Sequence, residues 1–531
     1  MPVAALWVAA AAPLLVLLTL LIGLHWRTTV AAPVGLLVGI AGAVLVFGLP
    51  VSGVAVATGK GVWDAIFILY IVWPALLLYN VSDAAGAFLV VRRDIDEIVP
   101  SPLLQVLAIG WVLASFIQGA AGFGTPIAVA APLLFGLGVR PIFAAVIPLI
   151  GNAWANMFGS LGVSWFVIVR GVQLIDPFQT ALCTAGLLLI PDLAAGMAIC
   201  WLYGRMRGGA HGWPAVGAVV ITHGIVLLSL VTLVPLVAMF LAAMAGLGAL
   251  FAVAWSPLYP YRQQAPQSPI MQPASGKRTA PAPEVSIHIA FLPYYALIAL
   301  ILPANLIPPL AAFLRQVQVG LPLPATSSLF GESQAATASY APIAPLAHPG
   351  TFLLLATLIG YLVFKRRGLY QQTSLWNILS KTANDALPAT TAIAAFLVLA
   401  AVMDHSGQIT FIGQRLSALG NATLLLILSP VLGLLGSLIT SSTTASNILF
   451  APLQSSGAAN LDVAQPLVIA GQATGAAVGN AASPSDALVG AATVEIVASL
   501  GLILRYTLPW ALATLIPVAG ALLLLSFLVV L

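Results

Sequence analysis

Charge is what this sequence has least of. Only 6% of its 531 residues are Asp, Glu, Lys or Arg, against 61% hydrophobic, so polar side chains cannot cover a water-facing globule. Cysteine is scarcer still: Cys183 and Cys200, both in apolar runs, make neither a disulfide framework nor a thiolate metal site. His25, His211, His223, His288, His348 and His405 are scattered, and no His-x-x-x-His or Ser–Lys spacing stands out. These gaps argue against an intramembrane enzyme and give no place for a metal or cofactor. There is no Gly-rich loop ending in Lys-Ser/Thr and no soluble block large enough for a nucleotide-binding domain, which argues against ATP-driven pumping. The net charge of +4, from 18 basic and 14 acidic residues, gathers partly in Arg92-Arg93, Arg205/Arg207 and Lys365–Arg367. Such clusters in a chain of this kind read as topology signals, not nucleic-acid patches.

What the chain does have is length without charge. Uncharged apolar runs recur from Ala4–Leu24 to Tyr506–Leu531, and at about 20 residues per crossing they allow roughly a dozen spans. The expected fold is all-α, with lipid as the main solvent. Nothing basic precedes the first run, so it reads as a retained span and not a leader. Ser256–Glu284 and Gln316–Pro349, rich in Pro with Ser and Ala, read as loops or linkers.

An ungapped internal match at an offset of 320 residues pairs Ala131–Leu133 with Ala451–Leu453, Gly151 with Gly471, Ala153 with Ala473 and Gly159 with Gly479. It divides the chain into an N-terminal transmembrane repeat over 1–255, a linker over 256–286 and a C-terminal repeat over 287–531. Just before both matched blocks an apolar run is interrupted, at Gln118–Pro126 and at Thr440–Asn447, giving hairpins expected near 102–140 and 421–458. Broken backbone at membrane depth survives only inside protein or beside a wet cavity, and paired breaks in two halves point to a transporter's binding site.

Gly119, Gly122 and Gly124 allow a sharp turn and close backbone approach, and Thr125-Pro126 suits the start of a new helix whose N-terminus favours an anion. Gln118 and Phe123 belong to the same break. In the second break, Ser441, Ser442, Thr443, Thr444, Ser446 and Asn447 offer donors and acceptors for a carboxylate and a hydroxyl. Small residues also permit tight helix packing, and hydroxyls also bond back to their own helix. After the first break Asn152, Asn156, Ser160 and Ser164 recur every four residues, as along one helical face; the second half offers Gln472, Thr474, Asn480 and Ser483. Ionisable residues at membrane depth are candidates for ion coupling, here Asp404, Asp486 and Glu495, the last two about 180° apart if on one helix. Asp64 and Asp83 flank the third apolar run.

At Leu104-Gln105, Gln118–Pro126, Gly136–Gly138, Asn152, Phe158-Gly159, Met403, Ser406–Gln408, Ser446-Asn447, Leu453-Gln454 and Ser483-Pro484 the chain resembles the lactate permease family of bacterial carriers. That resemblance covers nearly the whole chain, and Gly119–Pro126 is its most specific element. It implies secondary active uptake or exchange of lactate- or glycolate-like 2-hydroxy monocarboxylates across the cytoplasmic membrane, usually coupled to protons; a sodium ion held by backbone carbonyls beside Ser441, Ser442 and Thr444 is the alternative coupling ion. It also implies two inverted repeats with re-entrant hairpins and an elevator-like movement; a homodimer is a further expected assembly. Family members typically carry Glu at the place of Gln118, Asp at Thr443 and Lys at Asn480, and Thr-Ala-Pro-Val follows Asn152 where this chain has Ala153–Asn156. These departures leave a divergent carrier of another small anion, such as a sulfonate, as the second reading. A channel with Gly-rich filters is a third.

Overall fold

The computed structural model describes residues 3–24, 26–99, 101–257, 259, 268–272, 282–370, 373–419 and 421–530. Eleven of its helices are long and apolar enough to cross a membrane, or twelve if Leu292–Leu306 and Pro308–Leu314, bent by 98°, count as one span. Most of the proposed linker (258, 260–267 and 273–281) lies outside the described residues.

Two long helices, Val51–Ala84 and Leu375–Ser406, run against each other through the middle of the molecule. They approach closely at Gly61, where a Cβ would sit 2.5 Å from the Val398 Cα, so no larger residue fits. Pro74 and Pro388 lie inside these helices.

Beside this pair stands a region made of two similar units. In the first, the arms Pro102–Ala120 and Thr125–Gly136 form a helical hairpin, followed by Pro141–Gly151, a short 3-10 turn at Ala153–Asn156, and Gly159–Gly171. In the second, the arms are Ala422–Thr440 and Thr443–Asn460, followed by Gln465–Gly479, a 3-10 turn at Asn480–Ala482, and Pro484–Thr493. The first arm of the first hairpin contains a π-helical stretch at Ala108–Leu113. Helix lengths recur beyond the hairpins: Thr28–Leu45 and Pro349–Arg366 both have 18 residues, and Ala87–Ile98 and Gln408–Leu419 both have 12. Their starts are 321 residues apart in both cases, and those of the two first arms are 320 apart. The 12-residue arm Thr125–Gly136 is about 18 Å long, too short for a hydrocarbon core of about 30 Å.

Three expectations are corrected. Gln316–Pro349 is not a plain loop: Val319–Leu323 pairs antiparallel with Thr337–Ile343, and Thr326–Ser327 with Ser333–Gln334, forming a small β strap on the helical body. It forms because its side chains and carbonyls find partners on the long helices: Trp63 Nε1 donates to Ala341 O at 3.1 Å and Tyr340 Oη to Asp64 at 3.0 Å. The residues Asn152, Asn156, Ser160 and Ser164 do not share one continuous helix. The helix ends at Asn152, and Ser160, Leu161 and Gly162 all have positive φ, near 51°, 52° and 78°. Asp64 does not flank a span; it is buried within Val51–Ala84 and bonded to Arg170 Nε at 2.7 Å.

Candidate functional site

The first hairpin turns at Ala121–Gly124. Ala121 is extended, Phe123 and Gly124 have φ of 60° and 83°, and the Thr125 hydroxyl donates back to Gly122 O at 3.0 Å, fixing the start of the second arm. The Gly122 N–H donates to Ser160 Oγ at 2.8 Å, which ties the turn to the left-handed bend in the following helix. A Cβ on Gly122 would lie 2.3 Å from that oxygen, so glycine is required for this approach.

The second hairpin turns at Ser441 (φ 54°) and Ser442, which is extended and caps the second arm by accepting from the Ala445 N–H at 3.2 Å. That cap leaves the Thr443 and Thr444 N–H groups without intrahelical acceptors. Thr443 Oγ1 donates to Ala476 O at 3.2 Å, and the hydroxyls of Thr444 and Ser164 share a hydrogen bond of 2.8 Å. Two helix breaks distant in sequence therefore touch directly.

Between the two turns lies a recess of about 390 Å³, open on one side and lined by Gln118, Phe123, Gly124, Asn156, Ser160, Ser164, Ser441, Ser442, Thr443, Thr444, Asn480 and Asp486. Gln118 is 6% exposed, and its amide has no hydrogen-bond partner among the described residues. Asp486 is the one acid of this lining, and the lining contains no Lys or Arg. Its Oδ2 accepts from Asn480 Nδ2 at 2.8 Å, and its N–H is capped by Ser483 Oγ at 3.1 Å. Its Oδ1 lies 3.5 Å from where a Gly124 Cβ would be, so the carboxylate faces the first hairpin turn, while the neighbouring Ser485 N–H donates to Ser441 at 3.4 Å. Helices beginning at Thr125, Thr443 and Pro484 all start at this recess, and their positive ends favour a negative ligand.

Other candidate residues lie elsewhere. Gly119 packs against the Phe240 backbone, and Gly122 and Thr125 shape the turn without lining the recess. Asn152 is 1% exposed, away from the recess, with its Nδ2 buried and unpartnered. Ser446, Asn447 and Gln472 form a buried network behind the second hairpin: Gln472 Nε2 donates to Ser446 Oγ at 3.1 Å and to Asn447 Oδ1 at 3.3 Å, its carbonyl accepts from Gln454, and Ser446 Oγ donates to Gly433 O at 2.9 Å. They hold the hairpin to Gln465–Gly479. Glu495 is exposed, beyond the helix that ends at Thr493, so the half-turn separation expected from Asp486 does not apply. Asp404 is on the long helix Leu375–Ser406, paired with Lys60 at 3.1 Å. No group of three or more His, Cys, Asp or Glu among the described residues could hold a metal ion.

The sequence marks Asp64 and Asp404 singly but does not reveal the two charged clusters that the structure assembles. One joins Lys60, Asp64, Arg170 and Asp404 around a second recess. The other is wholly buried: Asp192 accepts from His223 Nδ1 or donates to it at 2.9 Å and accepts from Trp111 Nε1 at 2.9 Å, while Trp154 stacks on the His223 ring at 4.5 Å. Trp154 is thus a core residue. The available signal was a lone acid inside an apolar run, as at Asp64 and Asp192; their partners are 106 and 31 residues away, which no local pattern reveals.

Two hairpins meeting at a polar recess within a bundle of apolar spans define a multi-pass membrane protein. The family model for L-lactate permease matches residues 7–529, and the chain belongs to that family. It is 29% identical to the glycolate permease GlcA of Escherichia coli K12 over 93% of this chain and 91% of that one. It is 27% identical to the L-lactate permease of the same strain, covering 95% and 94%, and 27% identical to that of Bacillus subtilis 168, covering 88% and 86%. Among solved structures, the Alcanivorax borkumensis YdaH transporter aligns over 88% of this chain and 86% of its own, with a TM-score of 0.44 and 19% identity. The chain is accordingly a multi-pass protein of the bacterial inner membrane.

Proposed function

We propose that this chain is a secondary carrier of small hydroxy-monocarboxylates of the lactate and glycolate type, the acids named in its relatives. The observation that carries the reading is the recess at the meeting of the two hairpin turns. Backbone N–H groups at helix starts, the Ser and Thr hydroxyls and the unpartnered Gln118 amide supply donors for a carboxylate and a 2-hydroxyl without a basic side chain.

The same recess gives a reason for ion coupling. An anionic substrate beside ionised Asp486 would meet a like charge in a water-poor site, so anion and carboxylate are accommodated together only when a cation joins them. A proton on Asp486 is the simplest such cation; sodium held by Asp486 and the hydroxyl oxygens around Ser441 and Ser442 is the alternative. The recurring helix lengths, the short second arm of the first hairpin and the long central helix pair support two inverted repeats with re-entrant hairpins, the hairpin region moving against the central pair. A homodimer built on the central helices would suit that movement.

Gln118, Thr443 and Asn480 replace charges typical of the family, which favours a second reading with a related small anion, such as a sulfonate, as substrate. Uptake of labelled L-lactate into proteoliposomes, with and without an inward proton gradient or sodium gradient and with glycolate and small sulfonates as competitors, tests both. Saturable, gradient-driven uptake blocked by glycolate is the expected result. Lactate-insensitive uptake of a sulfonate would replace the first reading with the second, and non-saturable flux without counterflow would replace a carrier with a channel.

A further inference from the structure

We infer that the recess around Lys60 and Arg170 is a second, transient anion site through which the carboxylate passes on its way to or from the hairpin recess. The inference rests on the carrier reading above for the identity of the anion. This recess also measures about 390 Å³. It lies between the central helices, which supply Lys60, Asp64 and Asp404, and the hairpin region, which supplies Val167, Arg170 and Ile448.

Its position follows from two shared helices. On Gly159–Gly171, Ser164 lines the first recess and Val167 and Arg170 the second, about 4.5 and 9 Å further along. On Thr443–Asn460, Thr444 lines the first and Ile448 the second, about 6 Å on. The layer between them includes the hydrogen bond joining the Ser164 and Thr444 hydroxyls, a thin barrier to a small acid.

The two cations are held differently. Arg170 is locked: Nε bonds Asp64 at 2.7 Å, Nη2 bonds Ala341 O at 3.2 Å, and Asp64 also accepts from the Tyr340 hydroxyl. Among the described residues Lys60 makes a single hydrogen bond, to Asp404, though an ammonium has three donors. Within this pair the Lys60 side chain is 18% exposed and that of Asp404 38%. Asp404 is therefore the better solvated partner, and a substrate carboxylate can take its place on Lys60 while Asp404 turns to water. The β strap covers the arrangement, with Tyr340 5.7 Å from the Lys60 ammonium.

The test uses the full-length protein with Cys183 and Cys200 replaced by Ala and a reporter cysteine at Ala400, which lines the recess. Because Asp64 and Asp404 balance Arg170 and Lys60 in the resting recess, labelling is compared in Asp404→Asn protein. There anionic methanethiosulfonate should label the cysteine at least about tenfold faster than the cationic reagent, the order expected for one unbalanced unit charge a few ångströms away in a partly screened site, and adding Lys60→Gln should erase the preference. In uptake assays Lys60→Gln should raise KM, whereas Asp404→Asn, which leaves Lys60 free, should lower KM and slow turnover through tighter retention. The neutral pair Lys60→Gln/Asp404→Asn, which leaves no unpaired charge, should stay impaired, as an ion pair serving only structure would not require. Equal labelling by the two reagents, failure of either to label folded protein, or KM shifts of the same sign in the two single variants would overturn the site. Labelling needs no transported substrate, so a chain that carries neither lactate nor glycolate but retains the charge preference would refute the carrier's substrate and leave this site standing.

Discussion

Asp486→Asn is the substitution that separates binding from coupling. The carboxylate is buried at the meeting of the hairpin turns, and Asn has nearly the same volume and can still accept from Asn480. Two unit charges about 4 Å apart repel by about 4 kcal/mol at an effective dielectric near 20, or nearly a thousandfold in affinity. On the proposed reading the wild-type site therefore gains a neutralising cation before it holds an anion. If that cation is a proton, linkage requires anion affinity to fall as pH rises, by at most about tenfold per unit, in the range where Asp486 is ionised in the empty carrier. Asn carries no charge, so the variant should bind the anion with a pH-independent affinity at least equal to that of the wild type at high pH. It should also catalyse counterflow of labelled L-lactate in proteoliposomes while losing accumulation driven by a proton gradient. Gradient-driven accumulation at the wild-type level would place coupling on another group and refute the electrostatic reasoning.

Other outcomes follow from the same geometry. Asn480→Lys would put an ammonium against Asp486 and neutralise it permanently, so binding should become pH-independent with the anion held more tightly, measured by equilibrium binding across pH. Gly122→Ala drives a methyl to 2.3 Å from Ser160 Oγ and 2.7 Å from the Gln118 amide, so uptake should fall by tenfold or more in protein that elutes normally on size exclusion. Gly475→Ala meets the Pro430 carbonyl at 1.9 Å, rigid backbone that cannot swing aside, and should cost about 1–3 kcal/mol or more, seen as a lowered thermal midpoint in detergent. Arg170→Gln leaves Asp64 buried without its cation and should destabilise by about 3–5 kcal/mol, with Asp64→Asn/Arg170→Gln recovering most of the loss in the same melting assay.

The sequence makes the membrane class and the two breaks legible because lipid enforces them. Every span has to be apolar, and a break such as Gln118–Pro126 has to be rich in Gly, Pro and hydroxyl residues wherever its backbone turns. Residues at the turns themselves, Phe123, Gly124 and Ser441–Thr444, line the recess as their position suggests. Helical periodicity misleads one step further on. Asn152, Asn156, Ser160 and Ser164 have the spacing of one face, yet a 3-10 turn and three positive-φ residues intervene; Asn156, Ser160 and Ser164 reach the recess by way of that bend, and Asn152 does not. Composition also cannot tell a ligand-facing hydroxyl from one that binds two helices together. Thr444 and Ser446 are two residues apart, but one faces Ser164 at the recess and the other donates to Gly433 in the packing behind it.

Charge inside a span is the complementary signal, and its meaning depends on a partner that local sequence does not reveal. Asp64 and Asp192 look alike as lone acids in apolar runs, and both are buried. Asp192 is closed off by His223 and Trp111, with both oxygens engaged, so its natural role is to pin Pro177–Arg205 to His211–Leu230 and to the first hairpin's long arm. Asp64 binds an arginine from the hairpin region across the boundary with the central helices, and the same boundary carries Lys60 and Asp404. A bond within one region resists unfolding, whereas a bond between two regions that shift against each other must be broken and remade in each cycle. If the hairpin region moves, removing Asp64–Arg170 should change turnover more than affinity in addition to its cost in stability, whereas loss of the Asp192–His223 pair should show in stability alone.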